Sequence, residues 1–162
     1  MRVRDIMIKD FPVLSAEMSF GEAVQRLVDS GLSGLPVTDE KDMVLGIVTE
    51  SDALTFLEFM DLPSPDEYPE LETEAEKLDF IRQRIRARSG KLVQHVMNQT
   101  PIVCRPDMRI YELVELMIEK GVRMLPVVEN GKLVGLVNRR AVIKLLLKAG
   151  EVDDYDVKQS SG

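Results

Sequence analysis

The sequence predicts a mixed α/β (α+β) protein: two βαββα units packed sheet to sheet with pseudo-twofold symmetry, and a linker helix inserted between them. Three observations carry this. The chain repeats itself, with Gly31-Leu32-Ser33-Gly34-Leu35-Pro36-Val37 resembling Gly121-Val122-Arg123-Met124-Leu125-Pro126-Val127 at an offset of 90 residues. The same register aligns Met7 with Met97, Val13 with Val103, Met18 with Met108, Glu22 with Glu112 and Val24 with Val114, and after a one-residue gap it resumes as Gly46-Ile47-Val48 against Gly135-Leu136-Val137. Finally, each copy presents the same order of apolar patterns: an extended run, a helical stripe, two extended runs and a second helix.

Along the chain, each unit opens on a short extended run, residues 12–14 and 102–104. The helix that follows places Phe20, Ala23, Val24, Leu27 and Val28 at i, i+3, i+4, i+7 and i+8, and the second copy matches with Ile110, Leu113, Val114, Met117 and Ile118. Ser19 with Glu22 spells a capping box, and Gly31 and Gly121 stand where a left-handed C-cap favours glycine. Strands are expected over residues 35–38 and 43–49 and again over 125–129 and 132–138, with Asn130-Gly131 as a two-residue hairpin turn. Second helices, 51–60 and 139–148, close the units. A unit of about 55 residues buries too little apolar surface to hold a core alone, so the two sheets are expected to cover each other and leave ligand-sized clefts at the seam.

Residues 61–90 are longer than an ordinary loop. They open on Pro63, Pro65 and Pro69 among acids, then read as a helix over about 70–88 with Leu71, Leu78, Ile81 and Ile85 on one face. Acids at its front (Glu70, Glu72, Glu74, Glu76, Asp79) and Arg82, Arg84, Arg86 and Arg88 at its back suit the helix dipole. This describes either a solvated linker helix or a basic cover for a phosphate site or a partner. The expected domains are therefore a first unit over 1–60, the linker over 61–90, a second unit over 91–150 and a flexible acidic tail over 151–162 that includes Asp153-Asp154-Tyr155-Asp156.

Composition removes several function classes. The 162 residues hold 21 basic and 28 acidic side chains, a net charge of −7 that argues against broad nucleic-acid binding and against adsorption to anionic membranes. Cys104, the sole cysteine, excludes an intramolecular disulfide framework, and with His95 as the sole histidine it excludes a Cys/His zinc cluster. No apolar run reaches the ~18 residues of a membrane span, and the charged first ten residues lack a signal-peptide core. A soluble cytoplasmic protein is expected.

The paired Gly-x-x-x-Leu-Pro-Val signals, each followed by Gly-apolar-Val, resemble the CBS domain, the small regulatory module named after cystathionine β-synthase, which usually occurs as a tandem pair. The resemblance covers nearly all of residues 1–150 apart from the insert, and it rests on duplicated order and spacing rather than on one short string. It implies the sandwich of two βαββα units. It also implies an adenosine-containing ligand, AMP, ADP, ATP or S-adenosylmethionine, and sensing without catalysis in a stand-alone regulatory pair.

The family's ribose-binding pattern, Gly-apolar-apolar-Thr/Ser-x-x-Asp, is whole in the first copy as Gly46-Ile47-Val48-Thr49-Glu50-Ser51-Asp52. Its chemistry stands on its own. Thr49 lies at a strand-to-helix junction, where free amides attract phosphate and the Thr49 and Ser51 hydroxyls add donors. Asp52 offers two acceptor oxygens to a vicinal diol. By resemblance, Ile47 and Val103 would flank the adenine, and Arg123 and Met124 would face in from the other copy, Arg123 as a phosphate clamp. A Thr-x-x-Asp at a helix start is equally an ordinary cap, and Arg123 equally a solvated side chain. The second copy reads Gly135-Leu136-Val137-Asn138-Arg139-Arg140-Ala141, with no aspartate, so its site (Val13, Asn138, Arg139, Arg140) is expected to be degenerate or to take a more anionic ligand.

No phosphate-binding P-loop, nucleophile elbow or histidine-containing triad is present, so no catalytic residue and no catalytic cofactor are assigned. His95 and Cys104 read as structural, and the nine methionines as adaptable packing. Apolar residues crowd the closing helices (Leu54, Phe56, Leu57, Phe59; Leu145, Leu146, Leu147), which points to a homodimer. A nucleotide sensor acting on a regulated partner protein, an assembly domain with a vestigial pocket, and a nucleotide-acting enzyme are the three functions weighed; the first is preferred. Whether Mg²⁺ accompanies the ligand is not legible.

Overall fold

The computed structural model describes residues 1–59, 67–88 and 90–160. Its elements run α1 (Phe20–Ser30), β1 (Gly34–Thr38), β2 (Val44–Thr49), α2 (Glu50–Phe59), α3 (Glu74–Arg88), α4 (Val93–Val96), α5 (Ile110–Lys120), β3 (Met124–Glu129), β4 (Lys132–Asn138) and α6 (Arg139–Ser160). The repeat is therefore built as two small α/β halves, each with a two-stranded sheet, β1-β2 and β3-β4.

Local chemistry sets these boundaries. Ser19 Oγ accepts the Glu22 N–H at 3.3 Å and starts α1, while Gly31, at φ +67°, ends it as the left-handed cap. Only half of the expected capping box forms, because the Glu22 carboxylate turns to Arg26 one turn on, at 3.2 Å. Gly121, at φ +63°, ends α5 in the same way. Asn130 (φ +53°) and Gly131 (φ +80°) make the β3-β4 turn, as that dipeptide predicts. Phe20, Ala23 and Leu27 of α1 and Ile110, Leu113 and Met117 of α5 are buried, but Val28 (69% exposed) and Ile118 (77%) are not. Eight positions beyond the first apolar residue the helix has turned about 80° off the buried stripe, so these two leave the core.

The expected first strand of each unit contracts to a single bridging residue. Leu14 pairs in parallel with Val37, and Cys104 with Val127. The Leu14 N–H donates to the Pro36 carbonyl and the Leu14 carbonyl accepts the Thr38 N–H (2.9 and 3.0 Å); Cys104 does the same with Pro126 and Val128 (3.0 and 2.8 Å). Pro12, the first residue of one run, and Pro101, just before the other, have no N–H to give and keep the runs short.

Helix α3 begins at Glu74, later than expected, because Thr73 and Glu76 form a reciprocal cap. Glu76 Oε2 accepts the Glu72 and Thr73 amides (3.0 and 2.9 Å), and Thr73 Oγ1 accepts the Glu76 amide at 3.2 Å. The hydrogen bond from the Thr73 amide, foremost among these, holds the Glu76 carboxyl below its ordinary pKa. Leu78 is exposed, and Tyr68 stacks on Phe80 instead, with ring centroids 4.6 Å apart. The expectations placed on Pro63 and Pro65, and on the side chains of Ile85, Arg84, Arg86, Arg88, Leu57 and Phe59, lie outside the described residues. Helix α6 does not stop near Lys148 but runs on to Ser160, through most of the segment read as a tail; residues 149–160 contain no proline, and propagating an existing helix costs little.

The chain divides into two compact units, and the division is not the one the repeat boundaries suggest. One unit comprises Met1–Phe11, Asp42–Val44 and Pro101–Gly162; the other comprises Pro12–Lys41 and Leu45–Thr100. The leader of each repeat thus belongs to the unit built on the other repeat. In the unit holding the second repeat, Val3 is fully buried with Leu113, Leu125, Val127 and Val137. There Val3 N–H bonds the Met108 carbonyl at 2.9 Å, and Ile8 and Leu136 exchange both backbone bonds at 2.7 and 2.9 Å. In the unit holding the first repeat, Val93 is buried with Leu14, Phe20, Leu27, Leu35, Val37 and Val48. Val93 N–H bonds the Met18 carbonyl at 2.8 Å, and Ile47 and Asn98 exchange both bonds at 3.1 and 2.9 Å. Phe56 of α2 tilts onto Phe20, ring centroids 4.6 Å apart. Among the described residues no helix is long and apolar enough to cross a membrane, and no group of three His, Cys, Asp or Glu side chains is gathered for a metal ion.

Candidate functional site at the strand-to-helix junctions

Each unit brings the end of its second strand, the start of its closing helix and the entry to its first strand to one place. In the unit holding the first repeat, Glu50 N–H donates to the Ser33 carbonyl at 3.0 Å, tying α2 to the residue just before β1. Thr49 and Asp52 then cap α2 reciprocally. Asp52 Oδ2 accepts both the Thr49 N–H (2.8 Å) and the Thr49 hydroxyl (3.0 Å), and Thr49 Oγ1 accepts the Asp52 N–H at 3.4 Å. Both residues are half-buried, Ser51 beside them is exposed, and Ile47 is buried. Asp52 Oδ1 has no hydrogen bond among the described residues.

The capping and ligand readings of Thr-x-x-Asp are thus compatible. One carboxylate oxygen is spent on the cap and fixes the rotamer; the other keeps acceptor capacity for a hydroxyl pair.

The motif's glycine has a separate task that the sequence reading missed. A Cβ on Gly46 would stand 2.5 Å from the Asn98 carbonyl oxygen and 2.8 Å from Met97 Sδ. Gly135 meets the matching leader, with Met7 Sδ at 2.7 Å and the Ile8 carbonyl oxygen at 3.1 Å. Glycine is required at both positions so that a crossing leader can lie against the second strand. The repeated Met7 and Met97, outside any predicted element, were the available signal.

The equivalent junction in the other unit is built alike and charged oppositely. Arg139 N–H donates to the Arg123 carbonyl at 2.9 Å, and Asn138 Oδ1 accepts the Ala141 N–H at 2.8 Å, capping α6. Arg123, Arg139 and Arg140 are exposed. Met124 is buried and pairs with Asn138 in the β3-β4 ladder. Val103, next to the bridging Cys104, is 41% exposed, as is Val13 next to Leu14 in the other unit, whose carbonyl lies 3.5 Å from Arg26 Nη1. So Ile47, Thr49, Ser51 and Asp52 are brought together, and Arg123 stands with Met124, Asn138, Arg139 and Arg140. Burial pushes the Cys104 thiol up to about 12, so at neutral pH it is an inert apolar group. His95 is exposed on the four-residue α4.

Comparison with known proteins agrees with this fold. The family model of the CBS domain matches residues 3–58 and 93–148, both repeats with their leaders. The chain is 27% identical over 143 residues to the chloroplastic CBS domain-containing protein CBSX1 of Arabidopsis thaliana, over 86% of this chain and 61% of that one. It is 30% identical over 155 residues to the uncharacterized protein MJ1426 of Methanocaldococcus jannaschii, over 91% and 92% of the two chains. The crystal structure of CBSX2 in complex with AMP matches with a TM-score of 0.69 at 26% identity, covering 92% of this chain and 98% of that one. The chain spans about three fifths of the length of the two curated Arabidopsis relatives, 61% and 58%. With both repeats matched and each built as a small α/β unit, the chain belongs to the CBS domain family as a tandem pair.

Proposed function

We propose that this chain is a non-catalytic regulatory module that binds an adenosine-containing ligand, AMP in the first instance, at the Thr49–Asp52 junction. The observation that carries the reading is the divided carboxylate of Asp52: Oδ2 is held by Thr49, and Oδ1 is left as an oriented acceptor for a ribose hydroxyl. The AMP complex of the related CBSX2 supports that ligand class. In this reading Ile47 contacts the base and Ser51 reaches phosphate. ADP, ATP and S-adenosylmethionine are the competing ligands. The regulatory output is a partner protein that distinguishes the liganded from the free conformation, which requires the ligand to favour one of two states. A homodimer is part of the proposal, supported by the exposed Leu54 of α2 and Ile143, Leu146 and Leu147 of α6.

Titration calorimetry with AMP, ADP, ATP and S-adenosylmethionine tests the reading. One of the four is expected to bind the wild type, and Asp52→Ala is expected to lose that binding. An assembly domain with a vestigial site, favoured by those same exposed apolar residues, predicts that none binds while the dimer persists. Turnover of a nucleotide would contradict both.

A further inference from the structure

The repeated methionines Met7 and Met97 play no part in the nucleoside reading. Each lies in the leader of a repeat and is half-buried. Met7 packs beside the cluster of Val3, Leu125 and Val137, and Met97 beside that of Leu14, Leu35 and Val48. Each also lies flat on a glycine of a second strand. The position a Cβ would take on Gly135 is 2.7 Å from Met7 Sδ and 3.0 Å from its Cγ, and on Gly46 it is 2.8 and 3.1 Å from the same atoms of Met97. In both units a thioether fills the space that a side chain on the strand would otherwise take.

The backbone bond that joins leader to strand is immediately beside each sulfur. Leu136 N–H donates to the Ile8 carbonyl at 2.9 Å, and Ile47 N–H to the Asn98 carbonyl at 3.1 Å. Those same two carbonyl oxygens stand 3.1 and 2.5 Å from the glycine Cβ positions, so sulfur and carbonyl oxygen cover one glycine together. A soft, apolar sulfur is tolerated there. An oxygen on that sulfur is a strong acceptor set beside a carbonyl that already holds the nearby donor, and against an apolar core, where an unpaired polar group is costly. Half-burial leaves Met7 and Met97 open to a reagent the size of water, whereas Met117 and Met124 are buried.

We propose that Met7 and Met97 are paired sulfoxidation sites, one in each unit, whose oxidation by hydrogen peroxide loosens the leader from its strand. The sulfur lone pair attacks one peroxide oxygen and the O–O bond breaks. The sulfur keeps that oxygen as a sulfoxide, and the other leaves with both protons as water, so sulfur loses two electrons and peroxide gains them. A dithiol-dependent methionine sulfoxide reductase reverses the step, its dithiol becoming a disulfide while the oxygen leaves as water.

The test treats the native full chain with hydrogen peroxide and reads peptide masses and amide hydrogen exchange. Met7 and Met97 are expected to gain one oxygen each while Met117 and Met124 stay reduced. Exchange at the Leu136 and Ile47 amides is expected to rise at least about tenfold and to fall back after reductase treatment. In the Met7→Leu/Met97→Leu double variant, peroxide is expected to leave those two amides unchanged although other methionines oxidise. A chain with norleucine in place of methionine keeps the unbranched shape and lacks only the sulfur; it is expected to be equally indifferent, and it replaces the leucine variant if that does not fold. Unaltered exchange in chains fully oxidised at Met7 and Met97 overturns the proposal. So does peroxide-driven acceleration in the leucine or norleucine chain, or oxidation of Met117 and Met124 in step with Met7 and Met97.

Discussion

At Asp52 and at Gly46 single atoms do two jobs or forbid one. Asp52 divides its oxygens between a helix cap and an open acceptor, so its substitutions separate stability from binding. Asp52→Ala is expected to lose about 1 kcal/mol from the cap, seen in urea unfolding, besides its acceptor for ligand. Gly46→Ala places a methyl group into the Asn98 carbonyl and Met97 sulfur and is expected to cost about 1–3 kcal/mol in the same assay. Gly31→Ala touches nothing within 4 Å and loses only its left-handed backbone, about 1–2 kcal/mol. At Cys104 the sign follows from burial. The folded thiol holds its proton up to about 12 against an ordinary value of 9.0, so the stability this burial lends is complete below about pH 9 and is lost as pH rises towards 12. Alkylation of Cys104 at neutral pH is expected only as the protein unfolds, and rapid labelling of the native chain would contradict this.

Among the elements, what the sequence made legible and what it hid have distinct physical causes. Caps and turns are local, so Ser19, Gly31, Gly121 and Asn130-Gly131 marked their elements correctly. Strand pairing is not local, and the runs led by Pro12 and Pro101 reduced to the single bridges at Leu14 and Cys104. The start of α3 was misplaced because the apolar spacing was counted from Leu71; the Thr73–Glu76 pair is what fixes it. Thr73→Ala is expected to remove about 1 kcal/mol of local stability and to speed hydrogen exchange of the first-turn amides of α3 while leaving β3 and β4 unchanged. Of the candidate site, Thr49, Ser51 and Asp52 were readable because one short motif spans one junction. The opposite charge of the other junction was readable only residue by residue, as Arg139 and Arg140, until the backbone bond to Arg123 placed the three residues at one junction.

Across the whole molecule the chain's order and its units do not coincide, since each repeat's leader completes the unit built on the other repeat. Val3 and Val93, 90 residues apart, are both fully buried in cores they do not adjoin in sequence. Removing residues 1–11 is therefore expected to weaken the second repeat rather than the first. Hydrogen exchange at Leu136, whose amide bonds Ile8, is expected to accelerate strongly, with Val37 and Val48 keeping their protection. Faster exchange in the first repeat alone would contradict the assignment. For the same reason residues 91–150 expressed without residues 1–11 are expected to fold poorly.

The most direct measurement for nucleoside binding at the Thr49–Asp52 junction is calorimetric titration of AMP into the wild type and into Asp52→Asn. The asparagine keeps one carbonyl oxygen for the Thr49 cap and removes the second acceptor. Wild-type binding with an affinity about tenfold to a hundredfold weaker in Asp52→Asn, at an unchanged unfolding temperature, is the predicted result. Equal affinity in the two proteins, or no binding of AMP, ADP, ATP or S-adenosylmethionine to the wild type, would contradict it.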